Sequence, residues 1–257
     1  MASSREDALK EREPMSTESN LSKELTPTGR LRVGVAYAPK ATPIFVARGE
    51  DGNYRGLGLD LGRALAQELG VPMDVSVAAT TAELTEACVS GAIDVGFMPA
   101  DEERRKRLDF SPPYFVIEST FLAAGSTGIE TLADVDQAGI TVVGIAGSTT
   151  IRAAGRSLRS ATVVAAKSID EALALLKSGQ AQAFALTHDA LPPLQKEIPG
   201  SRILAGAFQI TDVAIAVLKN KPEALACLTR FIEAAKVSGV LRRAFDDAGL
   251  NGLKMAP

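Results

Sequence analysis

The sequence predicts an α/β protein of two lobes, each a mostly parallel sheet flanked by helices, joined by two connecting strands with a cleft between the lobes. Three observations carry this. From Leu31 onward, apolar runs of strand length alternate with runs of helical periodicity, the grammar of βαβ units. That grammar breaks near residue 123 and then restarts. Two stretches also resemble each other, ACVSGAIDVGFM and LLKSGQAQAFAL, each a helix end, a Ser-Gly turn and a strand of small and apolar residues.

The elements follow in order. LRVGVAY, from Leu31, is the first strand. After the turn residues Asp51-Gly52-Asn53, GLGLDLGRALAQELG sets Leu57, Leu61, Leu65 and Leu69 on one helical face, with Gly70 as the residue that ends the helix. MDVSVAA reads as a strand, TAELTEACVSG as a short helix ended by Gly91, and IDVGFM as a strand bounded by Pro99. In the second half TLADVDQAG leads into ITVVGIAG, the near-continuous apolar run of a strand buried on both faces. STTIRAAGRSL is a helix entered through hydroxyl residues, which favour the N-cap. TVVAA is a strand, and SIDEALALLKSG a helix with Ser168 and Glu171 at capping-box spacing. AQAFALT is the strand after it. IESTFLAAG and ITDVAIAVLK are the connecting strands, and PEALACLTRFIEAAKVSG and VLRRAFDDAGL the helices that return to the first lobe. The expected division is residues 30–122 with 213–257 in lobe 1 and 123–212 in lobe 2. A single sheet continuous through both halves would contradict it. Residues 1–29 are too polar to repay ordering and read as a disordered arm.

Composition excludes several functions. Net charge is −3 with no dense Lys/Arg block, which argues against nucleic acid or an anionic membrane as partner. No apolar run approaches the roughly 18 residues of a membrane span. The N-terminus has no apolar core of a secretory signal. The single histidine, His188, rules out a multi-histidine metal site, and the two cysteines, Cys88 and Cys227, have no metal-like spacing and sit in helical segments. No metal, cofactor or disulfide is expected, and catalytic turnover is not.

Four segments, LRVGV, GLGLDLGRALAQELG, GAIDVGFMPADEERRKRLDFSPPY and TVVGIAGSTT, resemble the extracellular solute-binding proteins of family 3 over about residues 31–247. These are polar amino-acid-binding components of ABC importers, with the type II periplasmic binding fold. The resemblance implies a small-molecule ligand, an ABC permease as partner, a monomer and a periplasmic location, while the absent signal leaves a cytoplasmic one open. Family members hold a ligand carboxylate with an arginine five residues before Asp-Phe-Ser, which is Arg104 here. A guanidinium matches two carboxylate oxygens with a planar fork. The neighbouring Arg105, Lys106 and Arg107 read as a solvated face. Gly147-Ser148-Thr149 matches the family's helix N-terminus on the second lobe, where free N–H groups favour an anion.

Several positions depart from the family. The acid that binds an α-ammonium falls at Thr187, the ligand-stacking aromatic at Thr81, and a threonine before the arginine at Asp101. Phe97-Met98-Pro99 replaces a donor-rich strand end. His188 and Asp189 follow Thr187 on a turn expected to face the cleft, and Tyr37 or Phe45 stands for the family's first aromatic. The implied ligand is a small carboxylate or related solute other than a standard α-amino acid. An enzyme on the same fold, like the cyclohexadienyl dehydratases, would have to use Asp101 or Asp189. A sensor or effector-binding module is the third reading.

Overall fold

The computed structural model describes residues 15–37, 46–49, 51–248, 250, 255 and 256. In chain order the elements are α1 (Met15–Leu25), β1 (Leu31–Ala36), β2 (Ala47–Arg48), β3 (Tyr54–Arg55), α2 (Leu57–Glu68), β4 (Met73–Ala78), α3 (Thr81–Val89), β5 (Val95–Pro99), α4 (Glu102–Arg105), β6 (Leu108–Phe110) and β7 (Phe115–Ala123). There follow β8 (Thr141–Ile145), α5 (Thr149–Ser157), β9 (Thr162–Ala166), α6 (Ile169–Lys177), β10 (Ala183–Thr187), α7 (Leu191–Gln195), β11 (Arg202–Ile203), β12 (Gln209–Leu218), α8 (Pro222–Val237) and α9 (Val240–Asp247).

The leucine face of α2 is buried as its spacing dictates, with Leu57, Leu61 and Leu65 fully shielded. Gly70 ends that helix at φ 67°, a backbone conformation that costs glycine little. Ser168 caps α6 by accepting from the Glu171 amide at 3.2 Å, while the Glu171 carboxylate accepts from the Lys167 amide at 2.6 Å.

The sheet runs β4-β1-β5-β12-β7-β10-β8-β9, with β6 on β12 and β11 on β7. Its wings are parallel, β1 with β4 and β5, and β8 with β9 and β10. Its centre is antiparallel, which corrects the expectation of mostly parallel sheets. The reason is direction: β7 leaves the first wing and β12 returns to it, so each runs against its neighbours. The ladder is also continuous, against the expectation of a break between lobes. Gln209–Val213 of β12 pairs with Phe115–Ser119 of β7, so the connecting strands satisfy each other's backbone groups where they cross between lobes.

The cores nevertheless separate. One pair of clusters covers the two faces of the first wing: Leu31, Leu61, Phe231 and Phe245 on one side, and Leu84, Cys88, Met98 and Phe110 on the other. The second wing has its own pair, Leu173, Phe184 and Leu194 against Phe121, Val142 and Ala154.

The arm predicted to be disordered contains α1. Leu21 and Leu25, four residues apart, pack into the first-wing core, where Leu25 is fully shielded. Glu24 completes the anchor, its carboxylate accepting from the Ala224 amide at 3.0 Å and its carbonyl from Lys221 Nζ at 2.7 Å. The apolar stripe is too short to stand out among polar neighbours, and α8 supplies the rest of its burial. Residues 1–14 lie outside the described residues.

Candidate functional site

Parallel strands end together, and the helices that follow them start at the same edge. A cleft of about 270 Å³ opens along these carboxyl ends, where ligands bind in α/β sheets. Its first-lobe wall comprises Ala36, Tyr37, Ala79, Thr80, Thr81 and Pro99. Its second-lobe wall carries Ser148, Thr149, Thr150, Lys167, Ser168, Asp170 and Thr187 over Ile145 and Leu186. Three helix N-termini therefore converge on one space: α3 at Thr80-Thr81, α5 at Ser148-Thr149 and α6 at Ser168-Ile169. Each brings the positive end of its dipole, which favours an anionic group, while the Asp170 carboxylate in the first turn of α6 lines the same space. Ser148 caps α5 by accepting from the Ile151 amide at 3.2 Å. The amides of Thr149 and Thr150, ahead of it, have no acceptor among the described residues. Tyr37 meets Tyr54 edge-on at 6.0 Å between ring centroids.

Arg104 lies immediately behind this lining and is 3% exposed. Its Nε donates to Thr85 Oγ1 and its Nη1 to the Pro99 carbonyl, both at 2.9 Å. Its Nη2 makes longer bonds, 3.3 Å to the Thr81 carbonyl and 3.4 Å to the Gly147 carbonyl. That edge, facing the seam between lobes, is the least satisfied part of the fork. Burial, with the nearby Arg152 cation, lowers the Arg104 pKa to about 10, so the group stays charged at neutral pH.

Asp101 caps α4, accepting from the Arg104 amide at 2.9 Å. Its other oxygen receives Arg152 Nε at 2.8 Å and Arg152 Nη2. Burial would push the Asp101 carboxyl up, but the Arg104 amide and the Arg152 guanidinium outweigh it and hold the group below the ordinary carboxylate range.

Of the residues singled out from sequence, Ser148, Thr149 and Thr187 line the cleft, as does Thr81 at the expected aromatic position. Arg104 and Asp101 sit beneath the lining. His188 begins a 3₁₀ turn after β10, exposed and away from the cleft lining, because the turn directs Thr187 and Ala190 inward instead. Phe45 lies outside the described residues, and Tyr37 takes the aromatic position. Sequence reasoning missed Thr80, Thr150, Lys167, Ser168 and the acid Asp170 as lining residues. The capping-box spacing had marked Ser168 as a helix start, which is also what places it at the cleft. Arg152 gave no local signal, because its partner is 51 positions away. Among the described residues no helix is long and apolar enough to cross a membrane, and no group of three or more His, Cys, Asp or Glu could hold a metal.

Residues 31–247 match the bacterial extracellular solute-binding proteins, family 3. The chain belongs to that family. As a family 3 protein it is similar to the glutamine-binding protein of Geobacillus stearothermophilus, 27% identical over 220 residues that cover 84% of this chain and 82% of that one. Among solved structures it is similar to a mutant of the arginine-binding protein of T. maritima, with TM-score 0.74 and 25% identity, covering 89% of this chain and 99% of that one. It is likewise similar to an ancestral amino acid-binding protein described as a precursor of cyclohexadienyl dehydratase, with TM-score 0.72 and 25% identity, covering 88% and 97%. The curled mixed sheet with flanking helices is the type II periplasmic binding fold of these neighbours.

Proposed function

We propose that this family 3 protein is the solute receptor of an ABC-type importer, acting as a monomer outside the cytoplasmic membrane and closing its two lobes on a small carboxylate-bearing solute. The observation that carries the reading is the convergence of three helix N-termini above the buried Arg104. The solute's carboxylate takes the amides of Thr149 and Thr150, in the field of the Arg104 cation beneath the lining. Tyr37 and the aliphatic lining cover its apolar part. The relatives named for glutamine, histidine and arginine binding support an amino-acid-like solute. Thr187 offers an ammonium only a hydroxyl, so an α-ammonium, where the solute has one, is left to Asp170, the acid that lines the cleft from the first turn of α6.

Binding rather than turnover fits the acids. A general acid or base works best with a pKa near the working pH. Asp101 is held low and tied to Arg152, and Asp189 does not line the cleft; Asp170 does line it, so Asp170→Asn belongs beside Asp101→Asn in the turnover test. The likeness to a dehydratase precursor makes turnover the reading to exclude. Calorimetric titration with matched series of amino acids, 2-oxo acids and 2-hydroxy acids tests both points, with mass spectrometry of the recovered solute. The expected result is an intact carboxylate ligand whose affinity falls by roughly one to two decades in Arg104→Ala and less in Arg104→Lys. Steady conversion of a carboxylate, abolished by Asp101→Asn, would replace this reading with the enzymatic one.

A further inference from the structure

The seam between the lobes carries a set of direct contacts from protein to protein. Arg152, on α5 of lobe 2, grips the Asp101 carboxylate of lobe 1 with both Nε and Nη2. The Asp101 side chain is 4% exposed and that of Arg152 27%. Arg152 Nη1 also donates to the Gly147 carbonyl at 2.8 Å, and Arg104 of lobe 1 reaches the same oxygen. Gly147 holds φ 70°, and a Cβ built there would stand 2.7 Å from the Ala82 Cβ of lobe 1. The turn is thus pressed against α3, and a side chain at 147 would hold the seam apart. Gly147 and Arg152 share one rigid piece, the start of α5. Asp101 and Arg104 share another, α4 and the end of β5.

From this juxtaposition we infer that Asp101 and Arg152, with the Gly147 carbonyl between the two arginines, form an inter-lobe latch that holds the cleft closed without ligand. Two cations flank one carboxylate, so the closed seam keeps one net positive charge beside the cleft. Parting the lobes separates Arg152 from Asp101 and the Gly147 carbonyl from Arg104, and returns all three charged groups to water. Hydration offsets part of the loss, so the latch biases the equilibrium rather than locking it. Arg152 acts on binding through the lobes and not by touching solute: it sets how much of the protein is closed before a solute arrives.

The test uses the ligand-free protein and therefore stands or falls apart from the identity of the solute. Small-angle X-ray scattering compares wild type with Asp101→Asn, Arg152→Gln and the double variant. Asparagine is as good an N-cap as aspartate, so Asp101→Asn removes the charge while keeping α4 capped. Far-UV circular dichroism checks that each variant is folded. Wild type is expected to scatter as the closed structure, and each single variant to expand as the closed-to-open ratio falls roughly tenfold. The double variant should open no further than the singles, since one interaction is lost in all three. Arg152→Lys, keeping the charge but not the fork, should fall between. Wild type scattering as an open form, or folded Asp101→Asn and Arg152→Gln scattering as wild type, would overturn the latch.

Discussion

The two walls of the cleft differ in kind. The lobe 2 wall presents its polar groups mostly from helix starts: Lys167, Ser168 and Asp170 are exposed, Ser148 and Thr187 half-buried, and Thr149 and Thr150 line the cleft from buried positions. The lobe 1 wall is plainer, with Ala36, Tyr37, Ala79 and Pro99, and its charged groups, Asp101 and Arg104, lie beneath it. One wall offers hydrogen-bond donors in the open. The other acts by the field of a buried cation and by the shape of what covers it. A buried cation has to be satisfied in the absence of solute, and the Thr85 hydroxyl with the Pro99, Thr81 and Gly147 carbonyls does this. The amides at the start of α5 belong to buried residues that line the cleft, and water entering the cleft satisfies them until solute arrives.

If this contrast is right, lobe 1 carries the larger structural penalties. Arg104→Ala empties a buried position and takes the Arg104 donor from the Pro99 carbonyl, while the Thr85 hydroxyl and the Thr81 and Gly147 carbonyls keep other partners. It should destabilise the protein by about 2 kcal/mol in chemical denaturation. Arg107→Ala, which removes only the exposed pair with Glu86, should leave the denaturation midpoint nearly unmoved. Equal effects of the two would erase the distinction between a buried and a solvated arginine three positions apart. Leu25→Ala should cost about 2–4 kcal/mol, since α1 is part of the lobe 1 core. A loss of a few tenths would show that the arm contributes little.

Lobe 2 changes should be smaller in stability and larger, relative to that, in binding. Ser148→Ala removes the α5 cap and should cost about 1 kcal/mol, while weakening solute binding by misplacing the Thr149 and Thr150 amides. Calorimetry and thermal melting on the same variant separate the two effects.

Acid should act on the lobe 1 side of the seam. The Asp101 carboxyl lies below its ordinary value when folded, so the unfolded chain binds its proton more readily. Its contribution is complete above about pH 4 and disappears as pH falls through the lower folded value. Stability of wild type and Asp101→Asn measured from pH 7 to 3 should therefore converge at the acid end. The least perturbing comparison uses the native thiols. Cys88 and Cys227 both belong to lobe 1 cores, and burial pushes Cys88 up to about 12 and Cys227 above its usual value. Neither should react with a thiol reagent in the folded protein, and their labelling in rising denaturant should follow lobe 1 alone.

Much of the fold was written locally. The leucine spacing of α2, the Ser168–Glu171 capping box and the glycines that end α2, α3 and α6 are short-range signals, and each element formed where its signal stood. The family motif likewise put Ser148 and Thr149 at a helix start, and the same strand-to-helix turn brings them to the cleft. The failures share a cause. Strand direction at the sheet centre, the pairing of β7 with β12 and the docking of α1 on α8 all depend on partners 60 or more positions apart, and no local pattern encodes such a partner.

The site divides the same way. Sequence determined which residue types stand where strands give way to helices, because an N-cap and a tight turn are local chemistry. It also determined that a cation would stand at Arg104. Only the tertiary structure decided what that cation touches: the fork turns beneath the wall toward protein oxygens, and its seam-facing edge meets a carbonyl from the other lobe. Asp101, which in sequence stood only as a departure from the family's threonine and a candidate acid, is neutralised across the seam by Arg152. A charge's role is set by its nearest counter-charge and by its distance from water, and both are properties of the assembled fold rather than of neighbours in the chain.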